Sequence, residues 1–286
     1  MPASIKVRRS TAAVCFAFYP PRQRFSSTAA SSVEDPDFTT AGSNIYMPSI
    51  TNSILHSDDA VLRWLNCLYG EWPMLDRVME EMTGATLLKF GPFAMTIVWL
   101  WFRPDKDQVA KRKALVMTVA AGLTGMVFAR LLAVNLPFRE RPFAREELSL
   151  RFALGYVPSL RTWSAFPSDH AVMAFALIAG LWHFSRWLGA AVLIYGIFAI
   201  CLPRVYMGLH HPSDVVGGAA IGVAAYWLIQ RFRIGNDVAE FALAQEARWP
   251  SAFYAASFLF LVEMSVMFEH FRSVARVLLG VLRSHG

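Results

Sequence analysis

The sequence predicts an all-α, polytopic membrane helix bundle with about six transmembrane helices, preceded by an N-terminal amphipathic helix. Three observations lead there. Hydrophobic residues make up 55% of the 286 and charged residues only 17%, where an ordinary soluble domain carries about 25% charge; the mean hydropathy is +0.38. That leaves too little polar surface to cover a soluble globule of this size, and the same numbers exclude disorder over most of the chain. The apolar residues are gathered into stretches near the roughly 17–25 residues a bilayer-crossing helix needs. The titratable residues cluster at the ends of those stretches. The three cysteines, Cys15, Cys67 and Cys201, are scattered and odd in number, so they imply no disulfide framework.

In chain order, residues 1–57 read as a disordered tail. The first part is rich in Ser, Thr, Ala and Pro, carries Arg8, Arg9, Arg22 and Arg24, and lacks the apolar core and cleavage site of a secretory signal. Met47 offers an alternative start. Over Asp58–Met82, Val61, Leu62, Leu65, Leu68 and Tyr69 recur at helical spacing among Arg63, Asp76, Arg77, Glu80 and Glu81, the pattern of an amphipathic region at the interface. Gly84–Phe102 is the first span, with Lys89 its single charge, and Ala114–Phe138 the second, with Arg130 alone. Ala171–Phe184 and Trp187–Pro203 form a hairpin around Ser185 and Arg186. Val215–Gln230 is uncharged and carries Gly217, Gly218, Ala219, Ala220 and Gly222, small residues that let helices approach closely. Trp249–Phe268, broken by Glu263, is the last. Residues 58–286 therefore read as one membrane domain.

Charge bias supplies an orientation. Arg103, Lys106, Lys111, Arg112 and Lys113 crowd the loop after the first span, which favours the cytoplasmic side. Alternation then brings segments 139–170 and 203–214 together on the opposite side. Three polar clusters lie there: Arg139-Glu140-Arg141-Pro142 (139–142), Pro167-Ser168-Asp169-His170 (167–170), and the run from Arg204 through His210 to Asp214 (204–214). Basic and titratable groups at a membrane boundary are costly unless they serve something.

These residue types suit one chemistry. Arginine forks match phosphate oxygens, and Ser168 with the N–H groups at a helix N-terminus adds donors for the same anion. A neutral imidazole is a competent nucleophile or base. If a helix begins at Pro212, Asp214 can orient the His210 ring and stabilise its charged form. His170 is then free to protonate a leaving group. The set suggests phosphoryl transfer through a histidine, with neither metal nor cofactor expected.

The clusters resemble the three signature motifs of the type 2 phosphatidic acid phosphatase superfamily: Lys-x6-Arg-Pro, then Pro-Ser-Gly-His, then Ser-Arg-x5-His-x3-Asp. Arg141-Pro142 closes the first, Pro167, Ser168 and His170 match the second, and Arg204, His210 and Asp214 match the third with its full spacing. The likeness runs over about residues 58–270, and the Trp72-Pro73-Met74-Leu75-Asp76 stretch looks similar to bacterial undecaprenyl-diphosphatase-like members. It implies that His210 attacks phosphorus, Asp214 orients it, His170 protonates the leaving oxygen and later activates water, and Arg141, Arg204 and Ser168 hold the phosphate.

Three positions depart from the pattern. Val134 stands where the first-motif lysine belongs, leaving Arg130 or Arg139 as its substitute, with Arg139 favoured as nearer the boundary. Asp169 replaces glycine, keeping its backbone N–H for phosphate but adding a carboxylate. Pro203 replaces the serine before Arg204.

The resemblance thus implies an integral membrane lipid phosphatase, most simply of a polyprenyl diphosphate such as undecaprenyl diphosphate, with phosphatidate or phosphatidylglycerol phosphate as the alternative. A bacterial inner membrane with the site facing outside follows from the likeness and the charge bias. Membrane lipids and a lipid phosphate are the expected partners, and no nucleic acid. A non-catalytic lipid or anion carrier and a vanadate-dependent haloperoxidase are the rivals from other classes. Read singly, each arginine is an ordinary interfacial anchor; His211, His183, His56, His270 and His285 lack motif context and read as structural.

Overall fold

The computed structural model describes residues 48–151, 163–274 and 277. By its contacts the chain separates into two units, Met1–Ser57 and Asp58–Gly286. The tail expected over 1–57 overlaps a helix from Pro48 onward, and its first 47 residues lie outside the described residues.

The described residues are helical throughout their regular structure. Helix α1 (Pro48–Asn66) and helix α2 (Pro73–Gly84) share the amphipathic region expected as one element. The break follows from Gly70, whose φ of +84° turns the chain, and from Pro73, whose ring presets the first turn of α2. The Asp76 carboxylate ties the break together, accepting from the Gly70 N–H at 2.9 Å and from the Tyr206 hydroxyl at 2.5 Å. Leu62, Leu65 and Met79 of these helices bury against Leu148, Val205, Tyr206 and Leu209.

Helix α3 (Thr86–Phe102) leaves α2 at a bend of 61°. Helix α4 (Gln108–Asn135) starts earlier than hydropathy suggested, because the Asp107 side chain caps it by accepting from the Ala110 N–H at 3.0 Å. Helices α5 (Asp169–Phe184) and α6 (Arg186–Tyr206) form the expected hairpin, the latter loosened by a π-helical turn at Gly196–Cys201. Helix α7 (Pro212–Arg231) follows. Helix α8 (Arg233–Arg248) occupies a stretch with no expected span and binds the start of α4 through Arg112–Glu246 (2.7 Å) and Lys113–Glu240 (2.8 Å). Helix α9 (Pro250–Ser265) lies against α3, stacking Phe253 on Trp101 with ring centroids 5.8 Å apart.

Each of the six expected spans is helical, but among the described residues three helices are long and apolar enough to cross a membrane: α4, α6 and α7; the bent α2–α3 pair would make a fourth. Helices α5 and α9 have 16 residues each. Helix α5 is also set apart by its packing. Ala171, Val172, Met173, Ala174, Ala176, Leu177, Ile178 and Leu181 are all buried, so the helix is apolar around its circumference and enclosed by α4, α6 and α7.

The small residues of α7 face α5. A Cβ at Gly222 would stand 2.3 Å from the Val172 carbonyl oxygen, and one at Gly218 would stand 2.6 Å from that of Ser168. Backbone cannot move aside as a side-chain tip can. Gly222→Leu is therefore expected to weaken the bundle by about 1–3 kcal/mol or more through overpacking. The check is thermal or detergent unfolding of the purified protein; an unchanged midpoint would contradict the packing described.

This arrangement gathers the C-terminal ends of α4 and α6 and the N-terminal ends of α5 and α7 at one end of the bundle. The three motifs occupy that end.

Candidate active site

The first motif leaves α4 through Pro137, which cannot continue a helix. The Arg139 backbone then pairs with the segment before α5, its N–H donating to Ser164 Oγ at 3.2 Å and its carbonyl accepting from the Ala165 N–H at 2.8 Å. The third motif turns at Gly208, whose φ of +63° lets the end of α6 close on itself. The Arg204 carbonyl accepts from the N–H groups of Leu209 (2.9 Å) and His210 (3.2 Å), while the Gly208 carbonyl takes the Phe143 N–H at 3.0 Å. The second motif docks through its Ser168 N–H, which donates to the Asp214 carbonyl at 3.2 Å. Backbone bonds thus lock all three motifs together.

His210 is 3% exposed. Its Nδ1 lies 2.8 Å from the Ala165 carbonyl oxygen. A carbonyl only accepts, so Nδ1 carries the proton and the lone pair is on Nε2. Arg141 approaches that nitrogen, with Nη1 at 3.4 Å, and is held by the carbonyls of Leu209 (2.7 Å) and Trp163 (3.3 Å). Burial, aided by the Arg141 charge, pushes the His210 pKa down to about 4. The ring is neutral at physiological pH and its free nitrogen faces a fixed cation.

His170 is built differently. Its Nδ1 meets the Asp169 carboxylate at 2.9 Å, and its Nε2 meets Arg204 Nη2 at 2.5 Å. Arg130 pairs with the same carboxylate and lies 4.6 Å from the Trp163 ring centroid. Asp169, expected as a phosphate-side donor with a carboxylate to spare, instead spends that carboxylate on Arg130 and His170. Ser168 Oγ is buried with no hydrogen-bond partner among the described residues. A hydroxyl in that state is a donor awaiting an acceptor.

Two expected residues have other partners in the structure. Asp214 was expected to orient His210 and stabilise its charged form; its Oδ2 is 3.9 Å from His210 Nδ1, within ion-pairing reach but too far for a hydrogen bond. It accepts instead from the His211 N–H (2.7 Å) and His211 Nδ1 (3.1 Å). The reason is that α7 starts at Pro212, so an aspartate in its first turn reaches back to the N-cap residue His211. Arg139 was favoured for the missing lysine. It is occupied by Asp214, by Asp58 Oδ2 at 2.7 Å and by Ser213 Oγ at 2.9 Å. Val134, at the lysine's position, is 84% exposed.

Sequence reasoning missed Asp58. This buried carboxylate also accepts from the Ser213 N–H (2.9 Å) and Ser213 Oγ (2.5 Å), pinning the Asp58–Asn66 part of α1 to the first and third motifs. One acid of the Asp58-Asp59 pair in an amphipathic stretch carries no signal that it is the buried one. Among the described residues no three His, Cys, Asp or Glu side chains converge on a possible metal position.

Arg141, Arg204 and the partnerless Ser168 hydroxyl are groups that donate to an oxyanion, and they lie at the same end of the bundle as the His210 and His170 rings that Arg141 and Arg204 contact. Comparison with known proteins places the chain in a family. The model of the PAP2 superfamily matches residues 135–236. The lipid A 4'-phosphatase of Bacteroides thetaiotaomicron is 40% identical over 179 residues, 60% of this chain and 74% of that protein. The putative undecaprenyl-diphosphatase YbjG of Escherichia coli is 29% identical over 139 residues, 48% of this chain and 63% of that protein. Phosphatidylglycerophosphatase B of Bacillus subtilis is 26% identical over 193 residues, 64% of this chain and 86% of that protein.

Proposed function

Since the chain belongs to the PAP2 superfamily, we propose that it is an integral membrane lipid phosphatase working through a phosphohistidine, with a polyprenyl diphosphate such as undecaprenyl diphosphate as substrate. The observation that carries the mechanism is the tautomer of His210: with Nδ1–H committed to the Ala165 carbonyl, the Nε2 lone pair is left beside Arg141. Arg141, Arg204 and Ser168 take the non-bridging phosphate oxygens. The His210 Nε2 lone pair forms the N–P bond as the bond to the leaving oxygen breaks. Burial and Arg204 push the His170 pKa down to about 3, so its Nε2 starts without a proton. It takes one from the monoprotonated phosphate of the substrate once Arg204 turns to that phosphate, and passes it to the leaving oxygen while Asp169 holds Nδ1–H. Binding of phosphate to Arg204 frees His170 Nε2 from the guanidinium that now contacts it. His170 then takes a proton from the water that cleaves the N–P bond, and inorganic phosphate leaves. Asp214, Arg139 and Asp58 position the loop that carries His210.

The diphosphatase relative supports the polyprenyl substrate, and the phosphatidylglycerophosphatase supports the alternative. The basic loop between α3 and α4 supports an inner bacterial membrane with the site facing outside. The test is phosphate release by detergent-purified protein in EDTA, from undecaprenyl diphosphate, phosphatidate, phosphatidylglycerol phosphate and lipid A, beside His210→Ala. Release that survives EDTA and vanishes in the variant is expected. Lipid binding with no release from any lipid would favour a carrier, and peroxidase activity appearing with vanadate would favour a haloperoxidase.

The His210 environment also sets an expectation for pH. A group held at about 4 stays neutral as pH falls through the ordinary histidine range and is protonated only below it. Once corrected for the substrate's own ionisation, the acid limb of kcat/KM due to the nucleophile is expected near pH 4 rather than near about 6.5. A nucleophile limb at the ordinary value would contradict the buried, neutral ring.

A further inference from the structure

The first motif lacks its cation, and both nearby arginines are ion-paired with carboxylates. Arg130 is paired with Asp169, Arg139 with Asp58 and Asp214, and Val134 is turned outward. A different part of the chain brings a positive charge to the same end of the bundle. Helix α3 begins there, because it runs toward the basic loop at 103–113 from which α4 returns. Lys89 stands in its first turn.

Lys89 is only 7% exposed. An interfacial anchor would extend its ammonium to water; this one is held inside. The next residue, Phe90, is fully buried and packs on His170 with ring centroids 6.1 Å apart. The charges that act on Lys89 are Arg204, Asp169 and Glu269, and Lys89 in turn acts on His170. Among the described residues it has no carboxylate within ion-pairing distance, for Asp169 is engaged by Arg130 and His170, and Glu269 is exposed. A buried ammonium repelled by Arg204 is costly unless an anion settles between them.

Resting on the phosphatase reading above, we propose that Lys89 is the phosphate-binding cation of this site, reaching from α3 to the place the first motif leaves empty at Val134. A lysine suits this task, since its compact charge carries three donors on a flexible stem and tolerates delivery from a different helix.

The experiment compares wild type, Lys89→Met and Lys89→Arg of the full chain. It reads kcat and KM on whichever lipid the wild type hydrolyses, together with the inhibition constant for orthovanadate, a five-coordinate mimic of the transferring phosphoryl group. Lys89→Met is expected to lower kcat/KM by about 10²–10³-fold, as removal of one donor to a developing oxyanion does. Vanadate inhibition should weaken in parallel. Lys89→Arg should recover most of both. A helix-packing lysine would alter stability while leaving the vanadate constant of the folded protein alone, and that result overturns the proposal.

Should Lys89→Met fail to fold, the wild type decides. Bound vanadate is expected to slow reductive methylation of Lys89, followed by mass spectrometry, and equal labelling with and without vanadate overturns the assignment. A wild type that hydrolyses no lipid overturns the phosphatase reading instead, and the same protection measurement still tests Lys89.

Discussion

Purified His210→Ala protein is expected to release no measurable phosphate from any lipid, a loss of about 10⁴-fold or more in kcat, because without the nucleophile the covalent route is closed. The fold should survive. The change leaves the Ala165 carbonyl without its donor, a cost of about 1–3 kcal/mol for a buried acceptor, and the surrounding loop is still held by Arg139, Asp58 and Asp214. Briefly mixing wild-type protein with radiolabelled substrate and quenching in alkali should trap a phosphoprotein that is stable in base and lost in acid, as a phosphoramidate bond is. That label should be absent from His210→Ala. Label on another residue, or turnover that survives the substitution, would end the phosphohistidine mechanism.

His170→Ala is expected to carry the next largest effect, with a size that depends on the leaving group. A phosphate monoester expels an alkoxide, which needs a proton as the bond breaks, so the loss should be about 10²–10⁴-fold, the range of general acid catalysis. A lipid diphosphate expels a phosphate, which departs without one, and there the loss should be much smaller. The hydrolysis of the phosphoenzyme also uses this residue as base, so the variant should accumulate more of the labelled intermediate on the diphosphate than wild type does. Rapid-quench measurement of both substrates makes the comparison. Equal losses on the two, with no extra intermediate, would assign His170 to binding. Asp169→Asn supplies the related control: it removes the carboxylate facing His170 Nδ1 while keeping the backbone, and should impair the monoester more than the diphosphate.

Much of the site was legible because motif spacing survives without knowledge of the fold. Arg141, Ser168, His170, Arg204 and His210 were all named from order and position relative to the apolar stretches, and the structure brings them to one end of the bundle. Between Asp214 and His210 the structure leaves an ion-pairing distance of 3.9 Å and no hydrogen bond. Residues four apart face each other on a helix, but His210 lies in the turn before α7, where that periodicity does not hold, and the in-helix aspartate turns back to the N-cap at His211. Arg139 is engaged by carboxylates for another reason. Nearness to the boundary says where a side chain starts, whereas the partner that holds it, Asp58, is 81 residues away in sequence.

Composition and the placement of apolar stretches by themselves determined that the chain is a helical membrane protein, since burial in lipid demands long apolar segments whose backbone bonds close internally. Spacing within three short motifs determined which histidines and arginines to watch, because those distances run along the chain. Only the tertiary structure decided what those groups touch. The tautomer of His210 depends on a backbone carbonyl at Ala165, the orientation of His170 on an aspartate expected to face phosphate, and the burial of Asp58 and Lys89 on helices that arrive from elsewhere. Hydrogen bonds act over about 3 Å, so the partner of a charge is set by where the bundle places it and not by its distance along the sequence.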